Sequence, residues 1–434
     1  MAVVGFAGGL GALSLLRYRT FHSRSLDMAY YVRLVWGMAH GRPDNPVVDA
    51  PHWLGLHLEP ILFVPAALSR LGLPVAELLL VLQAAVAALA LPPIHALCRR
   101  RIAPLLGETV ALLVALSIYL LPAVSRCVDY DFHPSTLLIA PLCAWIDAVD
   151  QGRWGRAWAW MAVSLCFRED VGLQLLCAAS AAAAWGTFHD RSQARRHLLG
   201  QAGLSALWFA VYALLVQPRY LPDPAGGSFG AHFARFGGGQ GGVAGVVRAA
   251  LADPAALGRY LVSGDRPGYP LALLFTVGGV ALAAPRWLAG ALPLVLINLA
   301  SDFPGVRLVQ SHYATAMAPF LAVAAVAGVE RLTRVADLHR PALRRLPAAL
   351  LLLSAGSAFA LRGASPLAPD FTFAAYRDDD DSRAARALVA RANSDPAAPR
   401  VVAEARVLAH LAERPEPILD PAQRYYWKAR TGGR

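Results

Sequence analysis

The sequence predicts an all-α membrane protein that crosses the bilayer many times. Of its 434 residues, 56% are hydrophobic and 16% are charged, whereas soluble chains carry nearer a quarter charged residues. Apolar stretches of roughly membrane-spanning length recur along the whole chain. The net charge of +11 comes almost wholly from arginine, which is typical of cytoplasmic loops and of contact with anionic lipids, not of nucleic-acid binding.

Apolar length alone predicts about eleven transmembrane helices. They are expected at about 2–16, 75–97, 105–124, 135–150, 156–168, 171–187, 198–216, 269–284, 287–300, 312–328 and 346–361. Two other stretches predict helices that do not cross. Residues 60–73 are apolar but interrupted by prolines, which favours a re-entrant or interfacial helix. Residues 27–40 mix apolar and polar positions, which suits an amphipathic helix in the membrane interface.

The arginines predict an orientation with the N-terminus in the cytoplasm. Every loop placed inside by this orientation is basic, and the largest such groups are 99–101, 191–196 and 330–345. The first outer loop, 17–74, is also rich in arginine, which could serve phosphate binding. The protein is therefore expected to span the plasma (inner) membrane many times and to face outward with its polar loops.

Two outer regions are not predicted to cross the membrane. Within an expected membrane domain, 1–361, residues 217–268 form a Gly-rich loop typical of a mobile lid or linker, with a helix near 243–263. Residues 362–434 read as a soluble extracytoplasmic tail. A helix is expected after Asp378–Asp381, because acids favour a helix N-terminus. A strand at 401–403 and a helix at 404–413 complete a small predicted α/β appendage.

Four short polar clusters stand at span ends, all on the predicted outer side. They are Ser25-Leu26-Asp27, His57-Leu58-Glu59-Pro60, Asp129-Tyr130-Asp131-Phe132-His133-Pro134 and Arg168-Glu169-Asp170. Ionisable groups at span ends are costly if they face lipid, so several on one side of the membrane indicate a functional site.

Two of these clusters lie in the first outer loop. Asp27 precedes the interfacial helix and could cap it, or act from the loop–helix junction into a cleft. His57 and Glu59 alternate around Leu58, so an extended chain would place both on one face. They could equally end a solvated loop.

The cluster around Asp131 is the strongest local signal. Asp129, Asp131 and His133 alternate, and in extended geometry their side chains share one side. Two carboxylates and an imidazole suit a divalent cation, or a carboxylate–histidine pair for proton transfer. The same residues could instead form a polar loop that caps the next span.

Charged groups in two later turns are further candidates. Arg168, Glu169 and Asp170 form a tight outer turn whose charges could pair with one another, orient the turn only, or meet the other clusters. His312, in Ser311-His312-Tyr313, opens a later span. It could contact a phosphate or an acceptor, or be structural.

With these residues in view, the chain resembles a family of prokaryotic membrane proteins of unknown function, domain of unknown function 2079. The resemblance covers nearly the whole chain. The motifs that carry it are Asp27 after the first span, Gly55–Pro60, Asp131–Pro134, Arg168–Asp170, Ser311–Tyr313 and Val407–Arg414. At the position of Arg168 the family more often has lysine.

The first part of the chain is also similar to integral-membrane glycosyltransferases of the GT-C fold. Those enzymes have an acidic residue and interfacial helices in the first outer loop, and they use sugars linked to polyprenyl phosphates. Many have an Asp-Glu pair there, whereas Asp27 is followed by Met28. The resemblance therefore implies that a second acid comes from elsewhere, such as Glu59 or Asp131.

This resemblance implies transfer of a sugar from a polyprenyl-phosphate donor to an acceptor on the outer face. Asp27 is then expected to act as general base, with Glu59 or Asp131 as the second catalytic acid. Positive charge for the leaving phosphate would come from Arg168, His57 or His312. The substrate-binding set is completed by His133, Glu169 and Asp170.

A divalent cation is the one cofactor that the sequence suggests, held by Asp129, Asp131 and His133. The expected partners are membrane lipid, the lipid-linked donor and an acceptor of unspecified kind; no nucleic-acid partner is expected. Two other classes stay open. A transporter or channel would place charges at mid-membrane, and a non-catalytic scaffold would not need converging acids.

Overall fold

The chain is built almost entirely from helices in the part that the structure describes. The structure is a computed structural model and describes residues 1–23, 26–42, 47, 52–220, 232–233, 235–236, 242–394, 401–402, 404–414 and 418–419. Its first fourteen α-helices are α1 (Ala2–Arg19), α2 (Leu26–Ala39), α3 (Phe63–Ser69), α4 (Val75–Ala88), α5 (Leu91–Arg101), α6 (Ala103–Leu106), α7 (Glu108–Leu120), α8 (Pro122–Asp129), α9 (Pro134–Leu137), α10 (Ile139–Asp150), α11 (Trp154–Leu165), α12 (Val171–Trp185), α13 (Arg191–Val211) and α14 (Gln217–Tyr220).

The later elements follow after an interval that includes residues outside the described part. They are α15 (Gly242–Ala252), α16 (Pro254–Leu261), α17 (Gly268–Phe275), α18 (Pro285–Leu288), α19 (Leu292–Ala300), α20 (His312–Thr315), α21 (Ala318–His339), α22 (Leu346–Arg362), α23 (Asp380–Ser394), α24 (Ala405–Leu408), and the strands β1 (Val401–Val402) and β2 (Ile418–Leu419). Short 3-10 turns connect several of them, including Trp53–Gly55, Pro60–Leu62, Pro304–Arg307 and Phe373–Tyr376.

Three helical segments of the described chain are long and apolar enough to cross a membrane. They are Val75–Arg101, Arg191–Tyr220 and Pro341–Arg362, and the bent pair Glu108–Leu120 with Pro122–Asp129 adds a fourth if it is one span. Of the roughly eleven predicted spans, three or four therefore correspond to helices that meet this test. Helices α1, with 18 residues, and α21, with 22 residues, are continuous but less apolar, and most of the other apolar stretches form shorter or broken helices.

Prolines and glycines account for these breaks. Pro122 separates α7 from α8, because proline lacks the N–H that would continue the helical ladder. The stretch expected to cross at 269–284 ends as α17 near Gly278 and Gly279, which have φ values of +64° and +68°. A Cβ on Gly278 would also lie 2.8 Å from the Leu350 carbonyl oxygen. Apolar length predicts where a chain is buried, but not whether it remains one helix.

The membrane-facing helices pack closely where small residues allow it. Gly172, in α12, lies so near α13 that a Cβ added to it would come within 2.6 Å of the Ser205 carbonyl oxygen. Small residues permit such close backbone approach between membrane helices. This contact fixes the start of α12, and Asp170 immediately precedes that helix.

Two of the basic regions predicted to lie on one side, 99–101 and 330–345, meet at one end of the molecule. There Arg101 pairs with Asp150 and, at 2.6 Å, with Glu330. Arg100 reaches Asp147 at 2.6 Å and Asp150 at 3.1 Å. We call Arg100, Arg101, Asp147, Asp150 and Glu330 the basic-end cluster.

The tail lies against the helical body. The Arg17 guanidinium donates to the Tyr376 hydroxyl at 2.8 Å, and Ser382 donates to the Thr20 carbonyl oxygen at 2.7 Å. The His410 ring stacks on both Tyr18 and Phe21, with centroids 4.0 and 3.9 Å away.

The predicted α/β appendage is not shown as a separate unit. Strands β1 and β2 have two residues each and pair in parallel. Residues 395–400, 403, 415–417 and 420–434 of the tail lie outside the described part, as does Ser25 of the first polar cluster. An independent appendage therefore stays a prediction.

The predicted outer Gly-rich loop, 217–268, contains helices α14, α15 and α16. The single helix expected near 243–263 is divided at Pro254, where Asp253 caps α16 by accepting from the Ala256 N–H at 2.8 Å. Residues 221–231, 234 and 237–241, which include most of the glycines, lie outside the described part.

Candidate functional site

A cavity of about 660 Å³ opens at the end of the helices away from the basic-end cluster. Helix α10 links the two regions, since Leu138 just before it lines the cavity and its last residue, Asp150, lies in the basic-end cluster. The volume falls within the range of small-molecule and cofactor sites. It is therefore large enough to take a substantial ligand.

Most of the predicted site residues line this one cavity. Those that do are Asp27, His57, Glu59, His133, Arg168, Glu169, Asp170 and His312. They come from segments that are far apart in sequence, and the fold brings these eight residues to one cavity. Their chemical roles remain predictions.

His57 and Glu169 form an ion pair in the cavity wall. His57 Nδ1 lies 3.0 Å from Glu169 Oε1, and the Leu58 N–H donates to Oε2 at 2.9 Å. Burial opposes the charge on both groups, yet their mutual attraction prevails. The pKa of His57 is raised, and the pKa of Glu169 is lowered to about 2. The contact with Glu169 therefore favours the protonated form of the His57 imidazole.

Glu59 behaves differently from Glu169 although both acids are in the same wall. Its side chain is 1% exposed, and Oε1 accepts a hydrogen bond from the Tyr31 hydroxyl at 3.1 Å. Oε2 has no hydrogen-bond partner. Burial raises the pKa of Glu59 to about 7, despite the nearby His57. This carboxyl group can therefore gain or lose a proton near neutral pH.

Arg168 and Asp170 form a two-pronged pair within their turn. Arg168 Nε donates to Oδ1 at 3.1 Å and Nη2 to Oδ2 at 2.6 Å. The turn is held in place because α12 begins directly after it. The planar guanidinium still has other N–H groups that could meet a phosphate oxygen.

Asp27, His133 and His312 make a third group of contacts. Asp27 lies in the first turn of α2, and its Oδ2 is 3.2 Å from His133 Nε2. The ring of His312, the first residue of α20, lies parallel to that of His133, with centroids 3.8 Å apart. One ligand atom from each of the three residues falls within 4.8 Å of the others.

Asp129 and Asp131 do not share a side with His133 as the alternating pattern predicted. The extended geometry is wrong, because Asp129 is the last residue of helix α8. Its Oδ2 accepts from Arg17 at 2.7 Å and its Oδ1 from Tyr376 at 2.9 Å. Asp131 is buried, and neither acid lines the cavity. Asp129, Asp131 and His133 thus do not converge as a ligand set.

The remaining wall of the cavity is apolar and comes largely from regions without motifs. Helices α13, α15, α16 and α19 provide it, through Phe209, Val246, Val247, Ala250, Leu257, Leu261, Leu294 and Ile297. The prediction of a helix near 243–263 located part of this wall. The apolar face of that predicted helix is the sequence feature from which a ligand contact could have been predicted.

Four residues that line the cavity each have a buried polar atom without a hydrogen-bond partner in the part of the chain that the structure describes. These atoms are Glu59 Oε2, Ser135 Oγ, Tyr212 Oη and Gln217 Oε1. An unpaired buried polar group typically costs about 1–3 kcal/mol, and native proteins rarely leave several in one place. Tyr212 and Gln217, which sequence reasoning missed, therefore join the candidate ligand contacts.

Comparison with known proteins provides a family assignment. No curated protein is significantly similar in sequence. The crystal structure of ArnT from Cupriavidus metallidurans bound to undecaprenyl phosphate superposes with a TM-score of 0.47 and 12% identity, over 99% of this chain and 89% of that chain. The family model described as "Predicted membrane protein (DUF2079)" matches residues 17–431. The chain belongs to this family of membrane proteins.

Proposed function

We propose that the protein is an integral-membrane glycosyltransferase that moves a sugar from a polyprenyl-phosphate donor to an acceptor on the extracytoplasmic face. One observation carries the proposal. A single cavity joins a wall of ionisable side chains to a wall of aliphatic and aromatic ones. That combination fits an amphiphilic substrate with an anionic head group and a hydrocarbon tail.

The apolar wall would hold the first part of the polyprenyl chain. Helix α15 contributes Val246 and Val247, and α16 contributes Leu257 and Leu261. Val247 is 51% exposed, so this wall is also accessible from outside the protein. A lipid could therefore enter from the bilayer without passing through the polar end.

The donor phosphate would lie against the cations of the polar wall. Arg168 and protonated His57 are both in that wall, and each is oriented by its own acid, Asp170 or Glu169. When the sugar leaves, negative charge develops on the phosphate. Fixed cations stabilise that charge without having to reorganise.

The acceptor hydroxyl must lose its proton as it attacks the sugar. We assign this proton to Glu59, since its Oε2 is unpaired and its pKa of about 7 suits a base at neutral pH. The sequence favoured Asp27 for this role. In the structure the Asp27 carboxylate instead contacts His133, with Oδ2 3.2 Å from Nε2.

Turnover of a defined donor tests this proposal. The wild-type protein, reconstituted in lipid vesicles, should bind and consume a radiolabelled polyprenyl-phosphate sugar. Val247→Asp should raise the KM for the donor more than it lowers kcat, because it adds charge to the lipid wall. Val335→Asp is a matched control, since Val335 is 48% exposed and is not among the residues that line the cavity. A wild-type protein that neither binds nor consumes any such donor refutes the proposal.

A further inference from the structure

Asp27, His133 and His312 bring three potential metal ligands close together. These residues come from three separate segments, and the two histidines are 179 positions apart in the sequence. All three line the cavity. His133 is 4% exposed, whereas the Asp27 side chain is 45% exposed. The group is thus anchored in the protein and open toward the space where a ligand would lie.

The hydrogen bonding of His133 fixes which nitrogen could bind a metal. Nδ1 lies 3.0 Å from the Asp131 carbonyl oxygen. A carbonyl oxygen can only accept, so Nδ1 carries the proton. In the neutral ring Nε2 then has a lone pair, and it faces Asp27 Oδ2 at 3.2 Å. Two lone pairs in this arrangement repel unless a proton or a metal ion lies between them.

The other contacts of His133 suit a metal ligand. The ring of His312 lies parallel to that of His133, with centroids 3.8 Å apart, and one ligand atom from each histidine and from Asp27 lies within 4.8 Å of the others. Metal-binding histidines commonly donate their other N–H to a backbone carbonyl, as His133 does to Asp131. The His133 backbone N–H is also held, by Gln83 Oε1 at 2.9 Å, so the ring is positioned in advance.

We propose that Asp27, His133 and His312 bind one divalent transition-metal ion, such as Zn²⁺, whose open coordination positions face the cavity. Two imidazoles and one carboxylate match the ligand preferences of Zn²⁺, Co²⁺ and Mn²⁺ better than those of Ca²⁺ or Mg²⁺. Three protein ligands leave room for a substrate oxygen. This site replaces the cation site that the sequence suggested at Asp129, Asp131 and His133.

The metal site stands without the transferase activity, but its role there rests on the proposed function. A bound cation would contact the donor phosphate and offset its charge as the sugar leaves. Arg168 and His57 would then act from other parts of the same wall. Asp27 would serve as a metal ligand, which is consistent with the assignment of the acceptor proton to Glu59.

Co²⁺ is the direct probe, because its visible absorption reports both binding and ligand type. Untagged, full-length protein is stripped with a chelator and titrated with Co²⁺, and Zn²⁺ is then added as competitor. We expect one Co²⁺ per chain, displaced by Zn²⁺. His133→Ala, His312→Ala and Asp27→Asn should each weaken binding at least about tenfold. His57→Gln is the matched control, since His57 lies in the same cavity with a carboxylate partner and should leave Co²⁺ binding unchanged.

Three results would overturn the metal site. The first is no saturable Co²⁺ or Zn²⁺ binding by the wild-type protein. The second is Co²⁺ binding by all three variants as tight as that of the wild type. The third is an X-ray absorption spectrum of the Zn²⁺-loaded wild type without imidazole ligands. The spectrum decides even if a variant fails to fold. Activity separates the two proposals. Metal binding without turnover of any polyprenyl-linked donor counts against the function alone, and turnover that survives complete metal removal counts against a catalytic role for the ion.

Discussion

The two ends of the helical body carry charged clusters of similar composition but different completeness. In the basic-end cluster Arg100 and Arg101 each bridge two carboxylates, and Glu330 also accepts from Arg334 at 3.1 Å. In the cavity, by contrast, Glu59 leaves one oxygen unpaired and three other buried polar atoms lack partners. Both clusters contain arginine and acids, so residue type does not separate them.

Within these two clusters, the difference separates charges that stabilise contacts between helices from polar groups that a ligand could pair. Beside the basic-end cluster, Arg286 Nε and Trp287 Nε1 are also buried without a hydrogen-bond partner among the described residues. Charges that pair with one another join neighbouring helices and need no ligand to pair with them. Polar atoms that are buried and unpaired lower the stability of the protein. They are retained at sites where a ligand supplies the missing hydrogen bonds. Five experiments test the two ends and the attachment of the tail, beginning with the one expected to have the largest effect.

Glu59→Gln keeps the shape of the side chain and removes its ability to accept a proton. We expect turnover of the donor to fall by about 10²–10⁴-fold, the usual contribution of a general base. The melting temperature should stay the same or rise, since a buried charge is removed. Glu330→Gln is the control from the other end, and should lower the melting temperature while turnover at 25 °C is retained. Turnover of Glu59→Gln within threefold of wild type would return the role of base to Asp27.

The same carboxyl group should make the stability of the protein depend on pH. Its pKa is raised from 4.5 to about 7, so the protonated form suits the folded state. Its contribution to stability is therefore present at low pH and is lost as pH rises through about 7. Between pH 4 and pH 8 the free energy of unfolding should fall by roughly 3 kcal/mol more in wild type than in Glu59→Gln.

Activity should follow the opposite trend in this pH range. A base works only when deprotonated, so kcat/KM of the wild type should increase as pH rises through about 7.

The groups that face Glu59 are Tyr31, His57, Arg168 and Glu169, and all four are kept in the Glu59→Gln comparison. Parallel pH profiles of unfolding for wild type and Glu59→Gln would exclude Glu59 as the titrating group.

Arg101→Met tests the basic-end cluster. The substitution keeps much of the aliphatic stem and leaves Asp150 and Glu330 without this guanidinium. The pair is partly exposed, so we expect a loss of about 1–3 kcal/mol in the free energy of unfolding, measured by denaturant titration in detergent. The KM and kcat for the donor should not change at 25 °C. If turnover fell as strongly as in the cavity variants, the two ends would not be functionally distinct.

Tyr376→Phe has the smallest expected effect. It removes the hydroxyl that bonds Asp129 and Arg17 but keeps the ring. The loss should be about 1 kcal/mol, seen as faster release of the tail by limited proteolysis. Phe371→Leu is a comparison within the same aromatic contact, because Phe371 stacks on Tyr376 without touching Asp129 through a polar atom. A tail that is cut no faster in Tyr376→Phe would show that the hydroxyl does not hold it.

The sequence predicted elements better than it predicted contacts. The helix expected at 27–40 is α2, and the turn at Arg168–Asp170 lies in the cavity, because burial and span ends can be inferred from apolar length. The position of α2 in the membrane interface and the side of the membrane that the cavity faces stay predictions. Helix continuity could not be inferred, as the break at Gly278 shows. It depends on a close approach to Leu350, a residue distant in the chain.

The site was predicted in part for the same reason. His57, Glu59 and Glu169 were selected because charge is costly at a span end, and this cost can be estimated locally. The contact between His133 and His312 is a tertiary one, and nothing in either local sequence predicts it. Asp129 was placed in the wrong environment because an alternating pattern implies an extended chain, whereas the helix that begins at Pro122 continues as far as Asp129.

The attachment of the tail has a consequence for biosynthesis. Arg33 of α2 donates to the Arg414 carbonyl oxygen, and Glu413 accepts from the Val75 N–H at 2.9 Å. The helix that carries Asp27 thus makes a contact that forms only after residue 414 has been synthesised. A nascent chain in which α1 to α22 are already inserted would still lack this contact, so α2 is covered later than the helices around it are made.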